Sequence, residues 1–340
     1  MCANSESAVP EIPEPRYGLS TAEYLQRFLE TANRSLSFER ANLAPREWQS
    51  KLRSKLCELL QLDPSSLQAP AAHVETTTEK DGYRETRLHY QVEKDLWCPS
   101  LFLEPSQPSA PGAAVLACHG HGTGLEYPLY TYIEDFVRRG HVVFAPNVRD
   151  FGERAFETRM AHECPHVEPL YNLLGVSSLG LKVKDLLLGL EWLKARDEID
   201  AERIGCAGLS MGGGLAMFLS AVQPSIAVTA VSGFLSTYKG LMLDVRNCAG
   251  YVVNGVLQHC DLYDVAGLIA PRPLVVESGT RDPCFVHEDA LFAYEMTRDI
   301  YAAFGVEDCI ALDEFEGEHE FHGEVAYPWF DRFLARDGCR

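Results

Sequence analysis

Five short apolar runs recur through the chain, at Ala114–Cys118, Val142–Ala145, Ile204–Ala207, Ala227–Val231 and Leu274–Val276, and a sixth follows at Cys309–Leu312. Runs that are apolar at nearly every position, rather than every second one, predict strands covered on both faces. Helical patterns such as Tyr132–Arg139, closed by Gly140, lie between most of them. This alternation predicts an α/β fold, doubly wound around a mostly parallel sheet. Before it, from Val74 to Leu103, polar and apolar residues alternate around Lys80-Asp81-Gly82, which predicts an antiparallel strand pair joined by a tight turn.

The N-terminal part is patterned differently. Ser20-Thr21-Ala22-Glu23 has the form of a capping box, and Tyr24, Leu25, Phe28 and Leu29 follow as one apolar helix face. A second helix is predicted from Pro45, with Trp48, Leu52, Leu56 and Leu59 at helical spacing and Asp63-Pro64 as its stop. The expected division is therefore a tail and helical extension over 1–70 and a catalytic domain over 71–340. Two stretches, 155–176 and 234–267, interrupt the strand–helix alternation and are expected to form cap-like insertions above the strand ends.

Composition narrows the partners. The 340 residues are 46% hydrophobic and 23% charged, the balance of a globular enzyme, and the formal net charge is −19. So acidic a surface disfavours nucleic acid and anionic membranes, and leaves a small molecule as the expected partner. Eleven cysteines are scattered without a CxxC pair, which predicts reduced thiols and a cytoplasmic setting. No signal-like start and no apolar run of membrane-spanning length is found. The helical extension is compatible with a homodimer.

In a doubly wound sheet, chemistry belongs at the carboxyl ends of the strands. The third central run leads into Gly208-Leu209-Ser210-Met211-Gly212 and then a Gly-rich helix start. Glycines two before and two after a serine give room for a sharp strand-to-helix turn that exposes its hydroxyl, so Ser210 is the expected nucleophile. Serine needs a base, and the base needs a carboxylate to hold its tautomer. Asp282, in the loop after Leu274–Val276, is the expected carboxylate, with Glu277 as competitor nearer the strand. His319 is the expected base and His322 its competitor. The chain order Ser, Asp, His agrees with this assignment.

Cys118-His119-Gly120-His121-Gly122 follows the first central strand, where amides for an oxyanion belong; the amides of Met211 and His121 are the expected donors. His119 with His121, and His162-Glu163-Cys164-Pro165-His166, also read as fragments of metal sites, but each is incomplete, so no metal and no cofactor is expected. Phe234, Tyr238 and Tyr251 in the second insertion, with Tyr263 beyond them, and Arg149 after the second central strand, are candidate substrate contacts. Arg149 could equally pair with Asp150.

Together, Cys118–Gly122, Asp150-Phe-Gly-Glu153, Gly208–Gly213, Ala270-Pro-Arg-Pro-Leu274, Glu277–Pro283 and Glu318-His-Glu-Phe-His322 resemble the α/β-hydrolase superfamily from Gly112 to about Leu334. The nearest branch in appearance is the dienelactone-hydrolase-like and acetyl-xylan-esterase-like carboxylesterases. Dienelactone hydrolases proper use cysteine where this chain has Ser210. The resemblance therefore implies a serine carboxylesterase or deacetylase acting on small acylated substrates. An amidase or peptidase with the same triad, and a catalytically idle fold kept for binding, are the alternatives. A histidine base predicts activity falling as pH drops through about 6.5.

Overall fold

In a computed structural model that describes residues 20–107, 111–122, 124–126, 132–155 and 164–336, the chain builds one nine-stranded sheet with helices on both faces. Two helices come first, α1 (Thr21–Glu30) and α2 (Pro45–Leu60). A meander follows of β1 (Ala72–Lys80), β2 (Tyr83–Glu93) and β3 (Leu96–Pro105), then β4 (Gly112–Cys118), α3 (Tyr132–Arg138) and β5 (Val142–Pro146). The chain continues through α4 (Cys164–Leu173), α5 (Ser178–Lys194), β6 (Ile199–Leu209), α6 (Met211–Val222) and β7 (Thr229–Ser232). It closes with α7 (Leu262–Gly267), β8 (Leu274–Gly279), α8 (His287–Ala303), β9 (Ile310–Phe315) and α9 (Ala326–Phe333).

The strand order is β1-β2-β3-β5-β4-β6-β7-β8-β9. Pairing is antiparallel from β1 through β3 to β5, and parallel across the five pairings from β5 to β9. All six apolar runs lie in or overlap strands of this sheet, as expected, and β4, β5 and β7 are buried at every residue. The order reverses between β5, β4 and β6, so the loops leaving β4 and β6 open side by side at one end of the sheet.

Three details differ from the sequence reading. The Val74–Leu103 region is three strands, not a pair: Glu93 faces Leu96 across a second tight turn at Lys94-Asp95, which carries no glycine to announce it. In α2 the inward face is Trp48, Leu52, Leu56 and Leu60; Leu59 is only partly buried, one position off the stripe. This helix belongs to the main core, and Arg53 donates to carbonyls of Ala221 and Leu268 at 2.8 Å each.

Helix α1 departs most. Ser20 caps it by accepting from the Glu23 amide at 3.2 Å, but no residue of α1 is buried, and Tyr24 and Phe28 are 58% and 65% exposed. Phe28 and Leu29 instead border a cavity of about 440 Å³ shared with Tyr238, Met242 and the 252–258 turn. Apolar periodicity identifies the face of a helix but not whether another element lies opposite it.

Candidate active site

Ser210 sits at the junction of β6 and α6 with φ 61° and ψ −126°, a conformation that costs energy in any residue with a side chain. The turn is held from both sides. The Ser210 amide donates to the Ser232 carbonyl at 2.9 Å, and the Gly214 amide donates to the Ser210 carbonyl at 3.1 Å. A β-carbon on Gly208 would lie 2.2 Å from the Gly212 carbonyl group, so the two glycines flanking the serine pack backbone to backbone. Ser210 itself stays partly exposed while α6 beyond it is buried along its length.

The loop after β4 lies against this turn. A β-carbon on Gly120 would stand 3.3 Å from Ser210 Cβ and 4.0 Å from its Oγ, so the backbone of the His119–Gly122 loop runs past the hydroxyl. Opposite it the amide of Met211 opens α6, where helix amides have no intrahelical partner and favour negative charge. The two expected oxyanion donors thus lie on segments that both approach Ser210.

His119 is fully buried and does not point to a metal. Its Nε2 accepts from the Val148 amide at 3.1 Å, while Nδ1 lies 2.8 Å from the Gly120 carbonyl. Burial lowers its pKa to about 4, which keeps the ring neutral as a tie between the ends of β4 and β5. The His121 ring packs edge-on against Phe151 and Tyr251, and its Nδ1 is 2.8 Å from the Tyr251 hydroxyl.

The Asp282–His319 pair comes from the loops after β8 and β9. The loop after β8 places Asp282 so that its Oδ1 accepts from the amides of Cys284 and Phe285 at 2.7 and 3.1 Å. Its Oδ2 is 2.8 Å from His319 Nδ1, and the carboxylate is only 2% exposed. Phe285 stacks on the His319 ring with centroids 5.6 Å apart. The imidazole also abuts the turn after β7: a β-carbon on Gly233 would be 3.0 Å from His319 Cε1 and 3.2 Å from Leu209 Cδ1. Gly233 follows Ser232, the acceptor of the Ser210 amide, so the ring is brought to the turn that carries Ser210.

The competitors have other partners. Glu277, buried near the end of β8, accepts from the amides of His322 and Gly323 at 3.1 and 2.8 Å. Burial raises its pKa to about 7. His322 pairs through Nδ1 with Asp313 at 3.0 Å and stacks on Phe315. Both acids hold the loop that carries His319; the pairing with His319 is made by Asp282.

Of the expected substrate contacts, Phe234 and Tyr251 pack on each other with centroids 5.1 Å apart, and Tyr251 reaches the β4 loop through His121. Phe234 also meets Phe285, the residue on the His319 ring. Tyr238 is placed elsewhere: its hydroxyl donates to the Tyr251 carbonyl at 3.3 Å, and its ring lines the cavity under α1. Tyr263 is buried between α7 and α8, facing Phe292.

Arg149 pairs neither with Asp150 nor outward. It is buried, and it donates to both oxygens of Asp185 on α5. Arg154 joins it at 2.7 Å. Burial opposes the charge on Asp185, but Arg154 and Arg149 together hold its carboxyl below the usual range. Asp150 pairs instead with the buried Lys182 at 3.0 Å, which also meets Glu168 at 3.2 Å. The signal for these pairings was Lys182 and Asp185 on the buried, leucine-rich face of α5. The His162–His166 segment falls outside the residues whose side chains are described.

The sequence model of the Abhydrolase family matches residues 11–303, most of the chain. The chain belongs to the Abhydrolase family. It is a hydrolase with the α/β-hydrolase fold, as the sequence predicts. A Bacillus subtilis (strain 168) protein described as a hydrolase, YtaP, is 26% identical over 254 residues, covering 70% of this chain and 83% of its own. Among solved structures, a protein assigned as an acetyl xylan esterase from Bacteroides fragilis superposes with a TM-score of 0.77 at 20% identity, covering 94% of this chain and 96% of that one. A glucuronoyl esterase from Solibacter usitatus superposes with a TM-score of 0.65 at 14% identity, covering 89% and 97%. These structural likenesses concern the fold. Among the described residues, no helix is long and apolar enough to cross a membrane.

Proposed function

We propose that this hydrolase cleaves carboxylic esters of small acylated molecules, acetylated saccharides foremost, through an acyl-enzyme on Ser210. The observation that carries the reading is the strained Ser210 turn with the Asp282-bound imidazole of His319 packed against it. In this mechanism Ser210 Oγ attacks the ester carbonyl as His319 Nε2 takes its proton. Asp282 accepts from Nδ1–H, which keeps Nε2 free to act as base. The amides of Met211 and His121 hold the oxyanion. The protonated imidazole then gives its proton to the leaving alcohol, and water repeats the sequence to release the acid.

The acyl preference for acetate is supported by similar proteins that bear acetyl xylan esterase names, and by the close packing of Phe234, Phe285 and Tyr251 beside the His319 ring. A cytoplasmic setting is supported by the eight described cysteines, all of which are free thiols. The test is steady-state hydrolysis of p-nitrophenyl acetate and longer acyl esters beside Ser210→Ala. Turnover by the native chain, falling on the order of 10⁶-fold in the variant, is the expected result. A Ser210→Ala protein that keeps its turnover, or a native chain inert toward every ester, overturns the reading.

A further inference from the structure

One group beside the His319–Asp282 pair has no part in ester cleavage. The Cys284 thiol lies two residues after the proposed triad acid, is partly exposed, and is folded back by the turn in which its own amide donates to Asp282. One donor atom each from Asp282, Cys284 and His319 lies within 4.8 Å of the other two. A carboxylate, a thiolate and an imidazole are the three donor types that zinc prefers, and three protein ligands with an open fourth position is a common zinc arrangement.

We propose that Asp282, Cys284 and His319 form a Zn²⁺ site whose occupation switches the hydrolase off. The inference rests on the proposed ester-cleaving triad for its consequence, but the ligand set stands on its own geometry.

The argument for inhibition is one of tautomers. A base at Nε2 requires the imidazole proton on Nδ1, where Asp282 accepts it at 2.8 Å. A metal bound at Nδ1 takes that nitrogen's lone pair, and the ring's single proton must then sit on Nε2. A ring in that state has nothing with which to take the Ser210 proton. The catalytic and metal-bound forms therefore exclude each other.

The proton balance follows. With the imidazole neutral, its proton changes nitrogen through solvent, the thiol proton is released, and Zn²⁺ gains Zn–N, Zn–S and Zn–O bonds with no change in oxidation state. Burial and the neighbouring Asp282 charge raise the Cys284 thiol, a cost that the bound dication offsets. Tetrahedral zinc sets its ligands about 3.3 to 3.6 Å apart, so closure requires roughly 1 Å of movement. Rotation of the Cys284 side chain about its first torsion supplies movement of that size. The stacked Phe285 ring holds the imidazole in place meanwhile.

The test titrates the full chain with Co²⁺ and follows the thiolate-to-cobalt charge-transfer band, then measures Zn²⁺ inhibition of ester hydrolysis, each beside Cys284→Ser. Serine keeps the backbone amide that holds Asp282, so basal hydrolysis is expected to persist. The expected result is a band from one Co²⁺ that Zn²⁺ displaces and that Cys284→Ser lacks. Zn²⁺ should lower kcat with KM unchanged, and the variant should need at least about tenfold more Zn²⁺ for half inhibition. No band in an active native enzyme, or equal inhibition of native and variant enzymes, overturns the proposal. A Cys284-dependent band in a chain that hydrolyses no ester supports the metal site and sinks the esterase reading instead.

Discussion

Gly212 lies so close to Cys118 that a β-carbon on it would stand 1.8 Å from the Cys118 carbonyl oxygen. The contact joins the start of α6 to the end of β4, the two segments between which an oxyanion would be held. Replacing Gly212 by alanine must therefore push one of them away. Overpacking of this kind costs about 1–3 kcal/mol, and the displacement falls on the segments whose amides are proposed to hold the oxyanion. Gly212→Ala is expected to lower the thermal midpoint by several degrees, and to reduce kcat more than KM. Calorimetry with ester kinetics on the soluble fraction checks both. A variant with native kcat would remove the β4 loop from the reaction.

Asp282 and His319 supply the second prediction. Asn in place of Asp282 keeps the shape but can present an N–H to Nδ1, favouring the tautomer with its proton on Nε2. In serine proteases, a change of this kind lowers kcat by about 10⁴ while leaving the structure in place. Asp282→Asn is expected to behave alike, with KM altered little. Substituting Asp313, which faces His322, should affect turnover far less. A larger loss from Asp313→Asn than from Asp282→Asn would shift the base to His322.

How far the site could be read from the chain depended on whether backbone or long-range pairing decided each residue. Ser210 was legible because its turn excludes side chains two positions either way, and that leaves glycines in the sequence. The pairing of Asp282 with His319 was legible because strand ends position both residues. Arg149 was not. Its partner Asp185 is 36 residues away on another element, and adjacency pointed to Asp150 instead. Tyr238 shares an insertion with Tyr251, yet irregular backbone turns Tyr238 to the cavity beside α1 and the Tyr251 hydroxyl to His121, and no period describes such a segment. The second turn of the meander, at Lys94-Asp95, lacked the glycine that marked the first.

The buried pairing of Arg149 and Arg154 with Asp185 makes a third prediction, in which stability and activity separate. Asp185→Ala leaves two guanidinium groups beneath the surface without their carboxylate, and breaking such a pair costs about 3–5 kcal/mol. Arg149→Met removes one of two cations and leaves Asp185 with Arg154, so its cost should be smaller. The Asp185 and Arg149 side chains are buried and paired with each other, so neither change is expected to reach substrate. Urea unfolding should rank the variants in that order, and folded Arg149→Met should keep KM within about twofold. A KM rising tenfold in that variant would restore Arg149 as a substrate contact.

Glu277 gives the last prediction, in pH. Its pKa is raised from 4.5 to about 7, chiefly by burial, and Asp313 adds to the rise while Ser232 and the amides of Gly323 and His322 oppose it. Tyr327 is a further titratable neighbour, and His322 donates its amide to Glu277 while its ring pairs with Asp313. A raised carboxyl pKa means that the folded state holds the proton more tightly than the unfolded state. The group's contribution to stability is therefore greatest below about pH 4.5, declines as pH rises to about 7, and is constant above that. The decline amounts to about 3 kcal/mol at most. Asp264, also raised to about 7 mainly by burial, adds a decline over a similar window. Glu277→Gln cannot ionise, so denaturant unfolding between pH 4.5 and 7 should show a slope shallower by up to one proton, with the Asp264 part retained. The variant's single amide oxygen cannot serve both the His322 and Gly323 amides, so kcat should also fall through loosening of the His319 loop, without a matching rise in KM. Parallel stability profiles for native and variant would show that Glu277 titrates alike in both states, and that its carboxylate is held without cost.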